Sequence, residues 1–305
     1  GRNINAINKQ DAVAVNDLMK LLVDMGAYAE VTATFNNKAD ALKTIKSPDA
    51  KATILQGIGN AYFQQHYFHQ ALQSYEQAAK LTLTNQQSNH AKIAAKLGMV
   101  NIYISKQEFA KASSILSELL NSSEKNGNDA QTALISQELG DVQFRMGEYD
   151  KALGYYQKAS ETYETTANRA ASANMVNRMA NMHCIKGNYP AAENQYKQAK
   201  ELANRLKLPT LSAAVLNNMG VMYQMRGDLV QADTLYNQSL RQWKTQGNDL
   251  AQLPLWLNTA ALMTELGKNK EAFELYKNYQ QQQLRYNEFS YQEQQLLTIK
   301  NPQDV

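Results

Sequence analysis

Two sets of side chains in this 305-residue chain have the types and spacing for site chemistry, and a third imitates a cofactor loop. His66 and His69 stand three apart and could open a metal site, with His90 further along the sequence. A zinc site takes three or four ligands in defined geometry, and no cysteine or carboxylate cluster joins these histidines, so a solvated turn is their expected place and no metal is expected. His183 and Cys184 put an imidazole beside a thiol. Adjacent residues on a helix point about 100° apart, so the two cannot serve each other as base and nucleophile. Cys184 is the only cysteine. It could be a redox-sensing thiol or a small apolar packing residue, and the second is the ordinary role of a lone cysteine. Gly57 and Gly59 imitate a dinucleotide loop, but they fall inside a helical pattern with no strand before them, and the motif has meaning only in that context. No catalytic residue and no cofactor are expected. What remains is an abundance of Asn and Gln, whose amides both donate and accept. Their use depends on how the chain arranges them.

The elements that must position them are helices. Only 14 Gly and 5 Pro occur, too few to punctuate many strands or loops, and Ala, Leu, Gln, Lys and Met favour helix. The net charge is +3 with no block of like charge, which gives no reason to expect nucleic acid. No run of about 18 apolar residues spans a membrane. Few charges, abundant Asn and Gln, and a start at Gly1 rather than Met lean towards a bacterial extracytoplasmic location, with the cytoplasm as the alternative.

Aligning the chain on itself exposes a repeat. Gly147, Tyr149, Ala152, Tyr156 and Ala159 recur as Gly187, Tyr189, Ala192, Tyr196 and Ala199, then as Gly227, Leu229, Ala232 and Tyr236. Other copies hold Phe68, Ala71, Tyr75 and Ala78; Phe109, Ala112 and Leu116; and Gly267, Ala272 and Tyr276. The small anchors Val31, Ala71, Ala112, Ala152, Ala192, Ala232 and Ala272 are 40, 41, 40, 40, 40 and 40 residues apart. In each copy an apolar stripe such as Leu139, Val142 and Met146 marks a helix face. A Gly then ends that helix in the left-handed conformation, and a second helix follows whose Ala lies at a close crossing. The expected boundaries are an N-terminal segment 1–11, repeats 12–51, 52–92, 93–132, 133–172, 173–212, 213–252 and 253–285, and a capping helix with tail over 286–305.

These residues resemble the tetratricopeptide repeat (TPR). Leu139-Gly140, Gly147, Tyr149, Ala152, Tyr156 and Ala159 match its pattern in order and spacing, as do Met219-Gly220, Tyr223, Gly227, Ala232 and Tyr236. The resemblance implies an all-α solenoid of about seven helix pairs in a superhelix, closed by a C-terminal capping helix. The period departs from the family's 34 residues, and the extra residues are expected to lengthen the second helix and the link after it, as around Ser160 to Ser172. Long repeats of this kind are found in kinesin light chains, maltose-activator-type transcription regulators and Gram-positive peptide-responsive phosphatase regulators.

By the same resemblance, the first helix of each pair lines the concave groove. Its stripe holds Asn16, Lys20, Gln56, Asn60, Asn101, Gln137, Asp141, Asn174, Asn177, Asn181, Asn217 and Gln224, with Asn258 close by and Arg145 and Arg178 at the edges. Amides in a row suit the backbone of an extended peptide; the plainer role is a solvated polar face. The clamp that some TPR proteins use for a C-terminal carboxylate is incomplete here. Asn60 and Asn101 match its asparagines, but Gln56, Leu134 and Glu138 stand at its basic positions. His183 takes the inward position that Tyr62, Tyr103 and Tyr223 hold elsewhere, and the methionines Met175, Met179, Met182, Met219, Met222 and Met225 sit mostly at core spacing. The expected function is a non-catalytic scaffold binding a peptide or partner protein in the groove. The alternative is a ligand- or peptide-sensing domain of a signalling protein.

Overall fold

The computed structural model describes residues 47–81, 86–246 and 252–298, with residues 29, 30 and 32 besides. The expected first repeat, except for its end, and the tail from residue 299 lie outside the described residues. Twelve α-helices are present among the described residues, in six successive pairs. They are α1 (Pro48–Gln64) and α2 (Phe68–Lys80), α3 (Gln86–Ser105) and α4 (Phe109–Lys125), α5 (Asp129–Arg145) and α6 (Tyr149–Thr165), α7 (Arg169–Ile185) and α8 (Tyr189–Arg205), α9 (Pro209–Met225) and α10 (Leu229–Gln246), and α11 (Leu253–Glu265) and α12 (Asn269–Thr298). The chain divides into two compact units, the first of residues 1–119 together with 293–305 and the second spanning Leu120–Gln292.

Within the second unit the architecture is a repetition of one local event. Helices α5 to α9 are each 17 residues long, and three-residue turns join them. At each turn the helix closes in a Schellman motif. Gly147 N–H donates to the Phe144 carbonyl at 3.0 Å and Glu148 N–H to the Gln143 carbonyl at 2.9 Å, and the same bonds recur at 167–168, 187–188, 207–208 and 227–228. The residue at the turn has positive φ: 77° at Gly147, 58° at Ala167, 74° at Gly187, 55° at Lys207 and 88° at Gly227. The following residue often caps the next helix, as Asn168 does by accepting from Ala171 N–H at 3.2 Å. The 40-residue period is thus two equal halves of helix plus turn. The expected lengthening falls in the helix only, since the link at 166–168 is as short as the turn inside the pair.

Packing follows from one aromatic position. Tyr156, Tyr196 and Tyr236, four residues after each anchor Ala, are almost wholly buried in the second unit. The first helix makes room for each ring. A Cβ on Gly140 would lie 2.5 Å from the Tyr156 ring, and one on Gly220 would lie 2.4 Å from the Tyr236 ring. Ala180 holds the equivalent place before Tyr196. The first unit repeats this with Tyr75, whose ring would stand 2.4 Å from a Cβ on Gly59 of α1 and 2.4 Å from one on Gly98 of α3. Its next pair changes both partners together: Val100 stands at the glycine position and Leu116 at the tyrosine position, both buried.

Two differences from the sequence reading concern chain ends of elements. Met146 is exposed, because it is the C-cap of α5 and the apolar stripe ends one turn earlier, at Val142. The expected capping helix from Tyr286 is joined to α12 without a break, since no Gly or Pro lies between Gly267 and Pro302 to stop it.

The turns make a testable contrast. Nothing crowds a Cβ at Gly147, so Gly147→Ala adds only the left-handed backbone cost and should lower stability by about 1 kcal/mol, whereas Ala167→Gly and Lys207→Gly should raise it by about 0.5–1 kcal/mol. Thermal and urea melts of the three variants measure this. The aromatic site makes a second. Gly140→Val should destabilise by about 1–3 kcal/mol through overpacking, and adding Tyr156→Leu, which recreates the Val100–Leu116 pairing, should recover part of that loss in the same melts.

Candidate partner-binding face

The polar stripe of the first helices meets the tyrosines. Burying a phenol strands its hydroxyl unless an acceptor is at hand, and the acceptor comes from the first helix of the same pair. Tyr75 Oη donates to Asn60 Oδ1 at 2.7 Å, Tyr156 Oη to Asp141 Oδ1 at 2.6 Å and Tyr196 Oη to Asn181 Oδ1 at 2.7 Å. In each case the acceptor precedes its tyrosine by fifteen residues. Val221 stands at that place before Tyr236, which donates instead to Gln224 Oε1 at 2.8 Å, one turn further on. Four of the expected groove residues therefore also complete the core. Asn101 is exposed, and Leu116, fifteen residues later, has no hydroxyl to offer it.

On α5 and α7 the stripe is charged. Arg178 Nη1 donates to Asp141 Oδ1, and its guanidinium carbon lies 5.7 Å from the Tyr156 ring centre. Arg178 Nε is enclosed and makes no hydrogen bond. Gln137 Oε1 accepts from Tyr163 Oη at 3.2 Å. Burial, and then the neighbouring Asp141 charge, push the Glu138 carboxyl above the usual carboxylate range, while Arg178 opposes the rise. Burial and the bond to Asp141 push the Tyr156 phenol up as well. Arg178 thus pairs with Asp141, while Glu138 stays a half-buried carboxyl beside them.

From α7 to α11 a row of amides on the stripe is linked. Asn258 Nδ2 donates to Asn217 Oδ1 at 3.0 Å, Asn217 Nδ2 to Asn218 Oδ1 at 3.3 Å, and Asn218 Nδ2 to Asn177 Oδ1 at 3.2 Å. This row crosses the first helices of three successive pairs. Asn177 is buried, Asn174 half-buried and Arg145 exposed, with no ion pair for Arg145 among the described residues. So the face brings together Gln137, Asp141, Asn177, Arg178, Asn217 and Gln224, while Asn60 and Asn101 belong to the first unit and Arg145 stands apart. Sequence spacing missed Tyr156, Tyr163, Asn218 and Glu265 as members. The fifteen-residue offset between an amide or carboxylate and a tyrosine was the signal for the first of these.

The other candidates resolve simply. Cys184 is 3% exposed, its Sγ is 3.8 Å from Met225 Sδ, and burial pushes the thiol up, so it packs as an apolar residue and is no reactive thiol. Met175, Met179, Met182, Met219 and Met222 are core, and Met225 is exposed. His66 is the positive-φ residue of the first turn, and His69 bonds Gln73 at 3.1 Å. Among the described residues no three His, Cys, Asp or Glu side chains are grouped to hold a metal, and no helix is long and apolar enough to cross a membrane.

Comparison with known proteins agrees with this repeat. Two tetratricopeptide repeat profiles match the sequence, one over residues 92–165 and 211–279 and the other over residues 52–85, together more than half of the chain. The chain belongs to the tetratricopeptide repeat family. None of the curated proteins matches it in sequence. Among solved structures, a TPR protein from Parabacteroides merdae is similar with a TM-score of 0.67 at 15% identity, over 89% of this chain and 93% of that one. A signal transduction ATPase with a TPR sensor from Pyrococcus horikoshii has a TM-score of 0.66 at 16% identity, over 93% of this chain and 44% of that one. A Rap protein complexed with Competence and Sporulation Factor has a TM-score of 0.56 at 14% identity, over 88% and 74%. At these identities the likeness establishes the TPR fold.

The burial of the Glu138 carboxyl beside Asp141 predicts a pH effect. A carboxyl whose folded pKa is raised contributes stability below the ordinary value near 4.3 that is lost as the pH rises through the folded value. Glu138→Gln should therefore melt higher than the wild type at pH 7, with the gap closing below about pH 4; paired melts across that range measure it.

Proposed function

We propose that this TPR chain is a non-catalytic scaffold that holds an extended segment of a partner protein or peptide across the first helices α5, α7, α9 and α11. The observation that carries this is the linked amide row Asn177–Asn218–Asn217–Asn258. Each side-chain amide has two donor hydrogens, and each donating asparagine of the row spends one on its neighbour. The neighbour bond fixes the side chain's direction while the second hydrogen stays available to a backbone carbonyl. Side chains ordered before binding lose less conformational freedom on binding. Gln137, Asp141, Asn174, Asn181 and Gln224 extend the face, with Arg178 as its cationic member, and Asn60 and Asn101 are the equivalent positions in the first unit. The Rap protein complexed with Competence and Sporulation Factor supports the reading, as a chain of this fold that holds a partner.

A sensing role inside a larger protein is the second reading. The likeness to the TPR sensor of the Pyrococcus horikoshii ATPase favours it. It would use the same face.

The test is capture from source-organism lysate by the wild-type chain and by an Asn217→Ala/Asn258→Ala variant, quantified by mass spectrometry, with circular dichroism as the check on folding. Asn177 is left in place because it is buried. The expected outcome is a protein retained by the wild type and depleted about ten-fold or more by the variant, as the loss of two direct hydrogen bonds predicts. Equal retention by both would place binding on another surface. No retained protein would sink the scaffold reading and leave the sensor reading, to be tested by a shift in melting temperature with small-molecule and peptide extracts.

A further inference from the structure

Successive first helices touch through a contact between residues 41 apart, and its chemistry changes along the second unit. Between α7 and α9 the contact joins Cys184 and Met225, sulfur to sulfur at 3.8 Å. One pair earlier the equivalent positions hold Phe144 and Ile185. One pair later they hold Gln224 and Glu265, with Gln224 Nε2 donating to Glu265 Oε1 at 2.5 Å. At this last place a depression opens, lined by Val221, Gln224, Met225, Tyr236, Asn258, Ala261 and Glu265. Its volume, ≈ 260 Å³, is below the 300–1,000 Å³ range of small-molecule and cofactor sites and suits a single side chain. Asn258, the end of the amide row, forms part of its wall, so a backbone lying on the row would deliver a side chain into it.

Two features select that side chain. Much of the depression's lining is apolar, from Val221, Met225 and Ala261. Its one charge is negative: α9 carries no charged residue and α11 only Glu265. Glu265 makes no ion pair among the described residues, and its second oxygen has no hydrogen bond there. A largely apolar depression that carries a carboxylate without an ion pair fits a lysine or arginine, which lays its methylene stem on the apolar lining and keeps its charge in contact with the carboxylate. We infer that this depression receives a basic side chain of the bound segment, with its stem on Val221, Met225 and Ala261 and its charge on Glu265. The inference rests on the reading that the first-helix face binds an extended peptide.

The test is an array of short acetylated and amidated peptides, randomised by position and probed with the full chain. The wild type should retain peptides in which one position prefers Lys or Arg about five-fold over norleucine, as expected for a partly solvated ion pair. Glu265→Gln should erase that preference, while peptides are still retained through the amide row. Ala261→Phe, which fills the depression, should erase it too, and Glu265→Lys should turn it towards Asp and Glu. Melting curves check that each variant is folded. Retention without a basic preference, or a preference that survives in Glu265→Gln, would overturn the pocket and leave peptide binding standing. No retained peptide with the wild type would overturn both.

Discussion

The close approach of a tyrosine ring to helix backbone governs this protein. The ring at the fourth position after each anchor lies where a Cβ on the facing helix would collide with it, which is why Gly59, Gly140 and Gly220 face Tyr75, Tyr156 and Tyr236. Removing a phenol from water requires a partner for its hydroxyl, and that requirement places Asn60, Asp141 and Asn181 on the first helices. The polar stripe and the core are therefore one construction. The last described pair shows the dependence from the other side. Tyr276 holds the same repeat position, yet it is 41% exposed.

From this coupling follows the division of the face into two chemical halves. Where the acceptor is a carboxylate, at Asp141, it draws in Arg178, which also lies over the ring of Tyr156. Glu138 is then left in a poorly solvated place beside the Asp141 charge. Where the residues are amides, no charge needs neutralising, and asparagines from successive helices bond one another in sequence. On the proposed reading, the neutral middle of this face would meet peptide backbone and its charged ends would discriminate among side chains.

Much of the fold was legible in spacing alone. The near-constant 40-residue interval, the glycines at 147, 187, 227 and 267, and the Ala and Tyr anchors all reflect close contacts that admit few residue types. The turns between pairs were harder. Ala167 and Lys207 adopt the left-handed conformation without advertising it, and Asn168, inside the stretch expected to lengthen the link, caps α7 instead. The stripe arithmetic found Asp141, Asn177 and Asn181 because a helix face is periodic. It could not show that a hydroxyl on another helix already claims part of their bonding capacity, since that is set by the pairing of helices. Asn218 escaped for the related reason that it lies one residue off the stripe, on the edge nearest the preceding helix.

The amide row also sets a ruler. It runs across the helices, from α7 over α9 to α11, and not along any of them. Neighbouring helices in contact lie about 8–10 Å apart, so the row covers about 20 Å. Extended backbone advances about 3.3 Å per residue. A partner strand must then present about six consecutive residues, free of their own secondary structure, before it can touch every asparagine at once. Under the proposed reading, that length would exclude tight turns and intact helices from the row and favour a chain terminus or an unstructured loop.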